Sequence, residues 1–275
     1  MKELKIVHTT ITLGLEKPVE LLHITDTHLV MDDERKSDRR QHFDRPEGSG
    51  QLESYLNQAL DYAKEKGCLL VHTGDLIDCT TDRVLAYVDQ VLADVDYMYA
   101  AGNHDFCHWV GEAVEDLPYK WMMMKKTAPH FKPNLYFDSR VVGGVNIVTM
   151  DDSYYLITDG QVDALRAEVA KGYPIVLCMH VPVYTPKLAE VGNGVAYVLG
   201  APEEILETYT ERRRKQQTPD AATLRAMDYI QNEPAIKAVL TGHKHVNFEE
   251  PLAGGAMQYS TGGTFEGWAR HITII

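Results

Sequence analysis

The chain has 275 residues, 44% hydrophobic and 24% charged, with a formal net charge of −13. That length allows one large α/β domain or two small ones, and no apolar run approaches the roughly 20 residues a membrane helix needs. The acidic balance disfavours a grip on long nucleic acid, which draws on a basic stripe.

The opening MKELKIVHTTITLGLEK lacks the apolar run and small-residue cleavage site of a signal peptide. It reads as a strand, and a cytoplasmic protein is expected. Strands are predicted over 4–13 and 20–25, where they look like a hairpin. A helix over 50–66, a strand over 69–73, a helix over 82–94 and a strand over 96–100 follow. A helix is read over 109–125, strands over 134–138 and 141–150, a helix over 159–171 and a strand over 174–180. Helices over 202–216 and 219–232 precede strands over 236–241, 256–260 and 268–275. Such alternation predicts an α/β protein with helices packed on sheets, and the hairpin-like start and strand-rich end predict mixed sheets.

No internal repeat is visible. The charged stretch 31–50 and the stretch 183–201 lack core periodicity. The cluster ERRRKQQ (211–217) has two readings, a solvated helix face and a phosphate-binding rim. Cys68, Cys79, Cys107 and Cys178 form no CxxC pair and read as reduced, mostly buried thiols.

Histidine and aspartate cluster where strands end. Asp26 and His28 follow strand 20–25, and Asp75 and Asp78 follow 69–73. Asn103, His104 and Asp105 follow 96–100, His180 ends 174–180, and His243 and His245 follow 236–241. Sites in open α/β sheets form outside the carboxyl ends of strands, so five such ends converging would make one pocket. In DTH and HKH the outer residues stand at i and i+2, which in extended chain point to one side. Glycines 74, 102 and 242 each precede a key side chain, where glycine permits a sharp turn and close backbone approach. His8, His23, His42, His72, His108, His130 and His271 read as structural histidines.

Asp26, His28, Asp75, Asn103, His180, His243 and His245 make seven candidate ligands. These are imidazole, carboxylate and amide oxygen donors without thiolate, which suits Mn, Fe or Zn. Seven exceed one tetrahedral site with an open position and fit two metals sharing a carboxylate, an arrangement that hydrolyses phosphate esters with metals about 3.5–4 Å apart.

In this order, D-x-H (26–28), G-D-x-x-D (74–78), G-N-H-D (102–105), His180 and G-H-x-H (242–245) resemble the calcineurin-like metallophosphoesterase superfamily. The resemblance spans residues 20 to about 262, and region 183–235 contributes nothing to it. It implies a four-layer αββα sandwich of two mixed β-sheets flanked by helices, with a di-metal site at the carboxyl ends of the strands. It implies that Asp26, His28 and His245 hold one of two divalent or mixed-valence ions, Asn103, His180 and His243 the other, and Asp75 both. A purple acid phosphatase would carry tyrosine where Asp78 stands, so that branch is disfavoured. The implied enzyme is a binuclear hydrolase in which a metal-bridging hydroxide attacks phosphorus.

His104, left over from the ligand set beside Asn103, is the candidate general acid or charge stabiliser at the leaving group. The resemblance implies that Asp78 orients it. Asp105 reads as a helix cap or a local hydrogen-bond acceptor.

The expected organisation is a single domain over 1–275 with a cap or rim insertion at about 183–222. Rim candidates are Arg35, Lys36, Arg39, Arg40, His42 and Arg45 in the first charged stretch, then Tyr184 and Asn193. Phe106, Trp109, Tyr119 and Trp121 either stack a base or pack a helix. The expected substrate is a small phosphomonoester or phosphodiester. A nuclease and a non-catalytic scaffold are the alternatives, and neither a membrane nor a nucleic-acid polymer is an expected partner.

Overall fold

Alternation with a period of two sorts strand residues between two apolar layers. Along Ile175–Cys178, Ile175 and Leu177 join one core cluster, while Val176 and Cys178 join another. A sheet that buries both faces in this way lies between two layers, and this chain builds that arrangement twice.

The computed structural model describes residues 2–31, 38–44, 50–110, 116–192 and 194–275. In chain order its elements begin with β1 (Lys5–Ile11), β2 (Val19–Ile24), α1 (Arg39–Asp44), α2 (Leu52–Lys66), β3 (Leu69–His72), α3 (Asp82–Val91), β4 (Tyr97–Tyr99) and α4 (Leu117–Thr127). There follow β5 (Phe137–Val142), β6 (Val145–Met150), α5 (Asp159–Val169) and β7 (Ile175–Cys178). The short α6 (Pro186–Ala189), α7 (Glu203–Leu206) and α8 (Glu211–Gln217) precede α9 (Ala221–Asn232), β8 (Ile236–Thr241), β9 (Phe248–Pro251), β10 (Met257–Ser260) and β11 (Trp268–Ile274).

The first sheet runs β1-β11-β2-β3-β4 and the second β5-β6-β7-β8-β10-β9. Both mix parallel and antiparallel pairs, as expected. Ile11, Leu21, Val71, Met98, Ile147, Val176, Leu240 and Ile272 fill the space between the sheets. Leu22, Ile24, Leu56, Val84, Val88 and Tyr99 pack the helical side of the first sheet. Val148, Val162, Leu165, Leu177, Met227 and Ile230 do so for the second. Each such side chain contributes about 1.5–3 kcal/mol by leaving water. The result is the four-layer αββα sandwich. Among the described residues no helix is long and apolar enough to cross a membrane.

Local chemistry sets the helix ends. Thr81 accepts from Val84 N at the start of α3, Asp220 from Thr223 N at α9, and Thr158 and Gln161 form a capping box at α5. Gly67 closes α2 in the left-handed conformation, φ 67°.

Several expectations need correction. β1 and β2 form no hairpin, because β11 lies between them, parallel to β1 and antiparallel to β2. Gly143 and Gly144, both at positive φ, turn the chain between β5 and β6, so the strands expected at 134–138 and 141–150 are one antiparallel pair in a shifted frame. β9 was not expected. The helix expected over 202–216 is two, α7 and α8, separated by a break at Glu207–Thr210. Part of the stretch read as a charged loop forms α1. Arg35, Lys36, Arg45 and Asn193 lie outside the described residues, as does part of the helix expected over 109–125.

Candidate metal centre

Register places the strand ends side by side. Ile24 pairs with His72, His72 with Tyr99, and Cys178 with Leu240. The residues that follow leave one common edge of each sheet. Asp26 N donates to Gly74 O (2.9 Å) and Gly242 N to His180 O (3.0 Å), which knit neighbouring turns together.

The turns are not extended chain. Asp26, His28, Asp75, Tyr155, Tyr197, His243 and His245 all have φ between 49° and 69°, and they are the non-glycine residues with positive φ among those described. Left-handed backbone is unfavourable for such residues and concentrates at functional sites. The side chains of D-x-H and H-x-H therefore converge through paired left-handed kinks, not through strand alternation. Close approach also explains two of the glycines. A Cβ on Gly74 would stand 2.5 Å from Gly102 N and 2.7 Å from His180 Nδ1, and one on Gly102 would strike the Asp75 carboxylate.

Two cages result. His245 Nε2 lies 3.2 Å from Asp26 Oδ1, and His28 Nε2 lies 3.8 Å from the same atom. His180 Nε2 lies 3.3 Å from Asp75 Oδ2 and 2.9 Å from His243 Nδ1. Asp75 reaches both groups, since its Oδ2 is also 3.9 Å from His28 Nε2. Asp26/His28/His245 and Asp75/His180/His243 each gather ligand atoms within 4.8 Å of one another.

Three buried atoms here have no hydrogen-bond partner among the described residues: Asp26 Oδ1, His28 Nε2 and Asn103 Oδ1. Buried polar atoms left unpaired are unfavourable by about 1–3 kcal/mol each, and each belongs to an expected ligand. Other contacts fix which atoms remain free. The Thr73 carbonyl accepts from His180 Nδ1 (2.7 Å), and the Asp78 carboxylate meets His28 Nδ1 (3.0 Å), so both rings present Nε2 inward. The donor set fits two cations.

Electrostatics agree. Burial opposes ionisation of Asp26, but His245 and His28 outweigh it and hold the acid well below the carboxylate range. Burial would lower His28 and His180, yet the surrounding carboxylates push both up to about 10.

Asp78 occupies a different place. Its Oδ2 accepts from Arg39 Nε (2.6 Å) and its Oδ1 from Arg39 Nη2 (2.9 Å). His104 Nδ1 lies 3.0 Å from the Asp78 carbonyl and 3.3 Å from its Oδ1. His28, Asp78 and His104 are close enough to form a third group, but Arg39 already supplies its cation. Burial lowers the affinity of His104 for a proton, and Asp75 and Asp78 outweigh it and raise it. Arg39 was expected at the rim, but its pairing with Asp78 and the link from Asp78 to His28 were not legible beforehand, because the partners lie 39 and 50 residues apart.

Asp105 caps no helix. It is fully buried, and its Oδ2 accepts from Asp75 N (3.0 Å), Gly102 N (2.8 Å) and the Tyr99 hydroxyl (2.6 Å). Burial and the Asp75 charge push its acid up to about 6. Of the two expected roles, the local acceptor is the one present. Phe106 is buried in the core, where it packs and stacks no base.

Two further residues were missed. Tyr155 Oη lies 2.7 Å from His243 Nε2, and the Asp152 carboxylate accepts from His180 N (2.9 Å). Both belong to DDSYY, which follows strand β6, so the strand-end rule applied once more would have found them. A cavity of about 250 Å³ opens over the centre. Asp75, Asn103, His104, His243 and His245 line it, together with Tyr155, Tyr197, Arg212, Arg213 and Gln216. Of the cluster 211–217, Arg212, Arg213 and Gln216 reach this cavity.

The family model described as calcineurin-like phosphoesterase matches residues 19–247. No curated protein matches the sequence. Solved structures similar to the chain include a dimetal phosphatase from Danio rerio, with 12% identity and TM-score 0.42, covering 90% of this chain and 88% of that one. Phosphopantetheinyl hydrolase from Mycobacterium tuberculosis has 13% identity and TM-score 0.46, with 94% and 91% covered. A 5'-nucleotidase from Candida albicans has 12% identity and TM-score 0.47, with 96% of this chain and 48% of that one covered.

Proposed function

The chain belongs to the calcineurin-like phosphoesterase family and is a hydrolase of phosphoester bonds, and we propose that it acts on small phosphomonoesters or phosphodiesters through a binuclear centre. The observation that carries this reading is the set of unpartnered buried atoms, Asp26 Oδ1, His28 Nε2 and Asn103 Oδ1, grouped with Asp75, His243 and His245, which line an open cavity. In this reading Asp26, His28 and His245 hold one metal, Asn103, His180 and His243 the other, and Asp75 both. The oxygen and imidazole donors suit Mn, Fe or Zn. Bound there, such ions neutralise phosphoryl oxygens and acidify the attacking water.

The chain's own residues do the rest. His104 lines the cavity with Nδ1 turned to Asp78, which leaves Nε2 to protonate the leaving oxygen or stabilise its charge. Asp78 positions both His104 and His28, and Arg39 neutralises it. We treat residues 1–275 as one domain in which 183–222 forms a cap. That segment has its own small cluster of Leu188, Val198, Ala201 and Leu206 and carries α8 to the cavity. A polynucleotide substrate has less support, given the net charge of −13, and a scaffold without turnover would not require a full ligand set.

The test is hydrolysis of p-nitrophenyl phosphate and bis-p-nitrophenyl phosphate by the Mn²⁺-reconstituted chain, with metal content measured on the same sample. Turnover of at least one ester is expected, and Asp75→Asn should lose metal and turnover together. A chain loaded with two metals that hydrolyses neither ester would refute the proposal.

A further inference from the structure

The wall facing the metal centre is built with more care than a solvated rim needs. Tyr197, in the left-handed conformation at φ 69°, sets its ring 5.5 Å from that of His243. Its backbone N donates to Gln217 Oε1 (3.0 Å), and the neighbouring Gly194 and Ala196 carbonyls accept from the buried Lys244 ammonium. Lys244 stands between the two expected ligands of G-H-K-H, so the wall is tied directly to the floor.

Arg213 is the product of that construction. Its guanidinium carbon lies 4.3 Å from the centroid of the Tyr197 ring, one terminal nitrogen donates to the Tyr197 hydroxyl, and the other donates to Gln216 Oε1 (3.2 Å). Both acceptors are neutral. Its remaining N–H groups have no hydrogen-bond partner, and no carboxylate pairs with it, among the described residues. The adjacent Arg214, by contrast, meets Glu203 at 3.6 Å. A stacked, half-buried guanidinium with donors to spare is a preorganised fork for an oxyanion. The ring distances place it at most about 10 Å from the His243 ring, and it lines the same cavity as His104 and Asn103. The Tyr197 ring contacts both the Arg213 guanidinium and the His243 ring, so the fork is held beside the centre and not among its expected ligands.

We infer that Arg213 is a specificity-determining residue that binds a second anionic group on the leaving-group side, so that the preferred substrates are phosphate esters whose leaving group itself carries a phosphate or carboxylate. This rests on the phosphoesterase reading above and narrows it. For a diphosphate, water adds across the terminal P–O–P link. The terminal phosphorus gains the hydroxyl, the bridging oxygen leaves with the inner phosphate, and that inner phosphate is the group Arg213 holds.

The test uses the Mn²⁺-loaded chain and two matched pairs of probes, ADP against AMP and 4-carboxyphenyl phosphate against phenyl phosphate. Released inorganic phosphate is followed in wild type, Arg213→Gln and Arg213→Lys. In wild type the anion-bearing member of at least one pair is preferred in kcat/KM, and the pair affected tells phosphate from carboxylate. Arg213→Gln should reduce that preference roughly 10- to 100-fold, the value of a charge-assisted hydrogen bond, and Arg213→Lys should restore part of it. Calorimetric binding of methylene-bridged ADP should weaken by a similar factor in Arg213→Gln, with metal content equal to wild type. A preference ratio unchanged by Arg213→Gln, or no preference in wild type, overturns the inference and leaves the phosphoesterase reading standing. Failure of wild type on all four probes overturns the inference, and failure on the two p-nitrophenyl esters as well overturns the phosphoesterase reading with it.

Discussion

Removing the Asp105 carboxylate should destabilise the protein far more than its absence from the ligand set suggests. In Asp105→Ala, the N–H groups of Asp75 and Gly102 and the Tyr99 hydroxyl lose their acceptor together. Tyr99, Asp75 and Gly102 are all buried, so water reaches them poorly. At about 1–3 kcal/mol for each orphaned donor, with partial relief from a water entering the space, the loss is roughly 3–6 kcal/mol. That is a large part of the about 5–15 kcal/mol by which a domain is stable. For a chain of this size each kcal/mol moves Tm by about 2–4 °C, so a fall of roughly 6–24 °C is expected in thermal unfolding followed by circular dichroism. Tyr99→Phe removes one donor to the same carboxylate, so in a double-mutant cycle the pair should be non-additive by about 1 kcal/mol. The Asp75 turn also loosens, so metal affinity should fall about 10- to 100-fold. An Asp105→Ala protein melting within about 3 °C of wild type would show that this carboxylate is not the tie between the two turns.

His104→Ala should retain its metals by elemental analysis while kcat falls about 10²- to 10⁴-fold, more steeply for aryl phosphates with poor leaving groups; a flat dependence on the leaving group would remove the histidine from that role. Arg39→Ala takes a cation from Asp78, whose unbalanced charge then favours protonated His104, so the alkaline limb of the kcat–pH profile should move to higher pH. A profile superimposable on wild type would disconnect Arg39 from the site. Chelation should lower Tm by on the order of 10 °C if metal was present at about 1,000 times its Kd, which corresponds to about 4 kcal/mol of linked stability. The Asp75→Asn protein should show almost no such drop, and an equal drop would mean that the metal binds elsewhere.

The residues that carry the centre could be read before any fold was known, because their signal is local. Each motif is a short run at the end of an apolar strand, and the chemistry of Asp, His and Asn donors does not depend on what packs around them. The layered architecture was legible for the same reason, since periods of two and 3.6 residues are properties of short windows. Chain pairing was not: β11 separates β1 from β2 because the last strand of the chain finds its place there, and nothing near residue 15 encodes that. Nor does D-x-H state that Asp26 and His28 take left-handed backbone, or that Gly74, Gly102 and Gly242 lie too close to their neighbours for a side chain. The groups that hold the ligands in place (Arg39 on Asp78, Asp105 under two turns, Tyr155 on His243 and the wall bearing Arg213) join residues that are distant in sequence or silent in composition. The sequence by itself therefore determined which atoms are offered to metal and phosphate. The tertiary structure alone decided which way they face and what stands opposite them, because orientation depends on contacts between segments that no local pattern records.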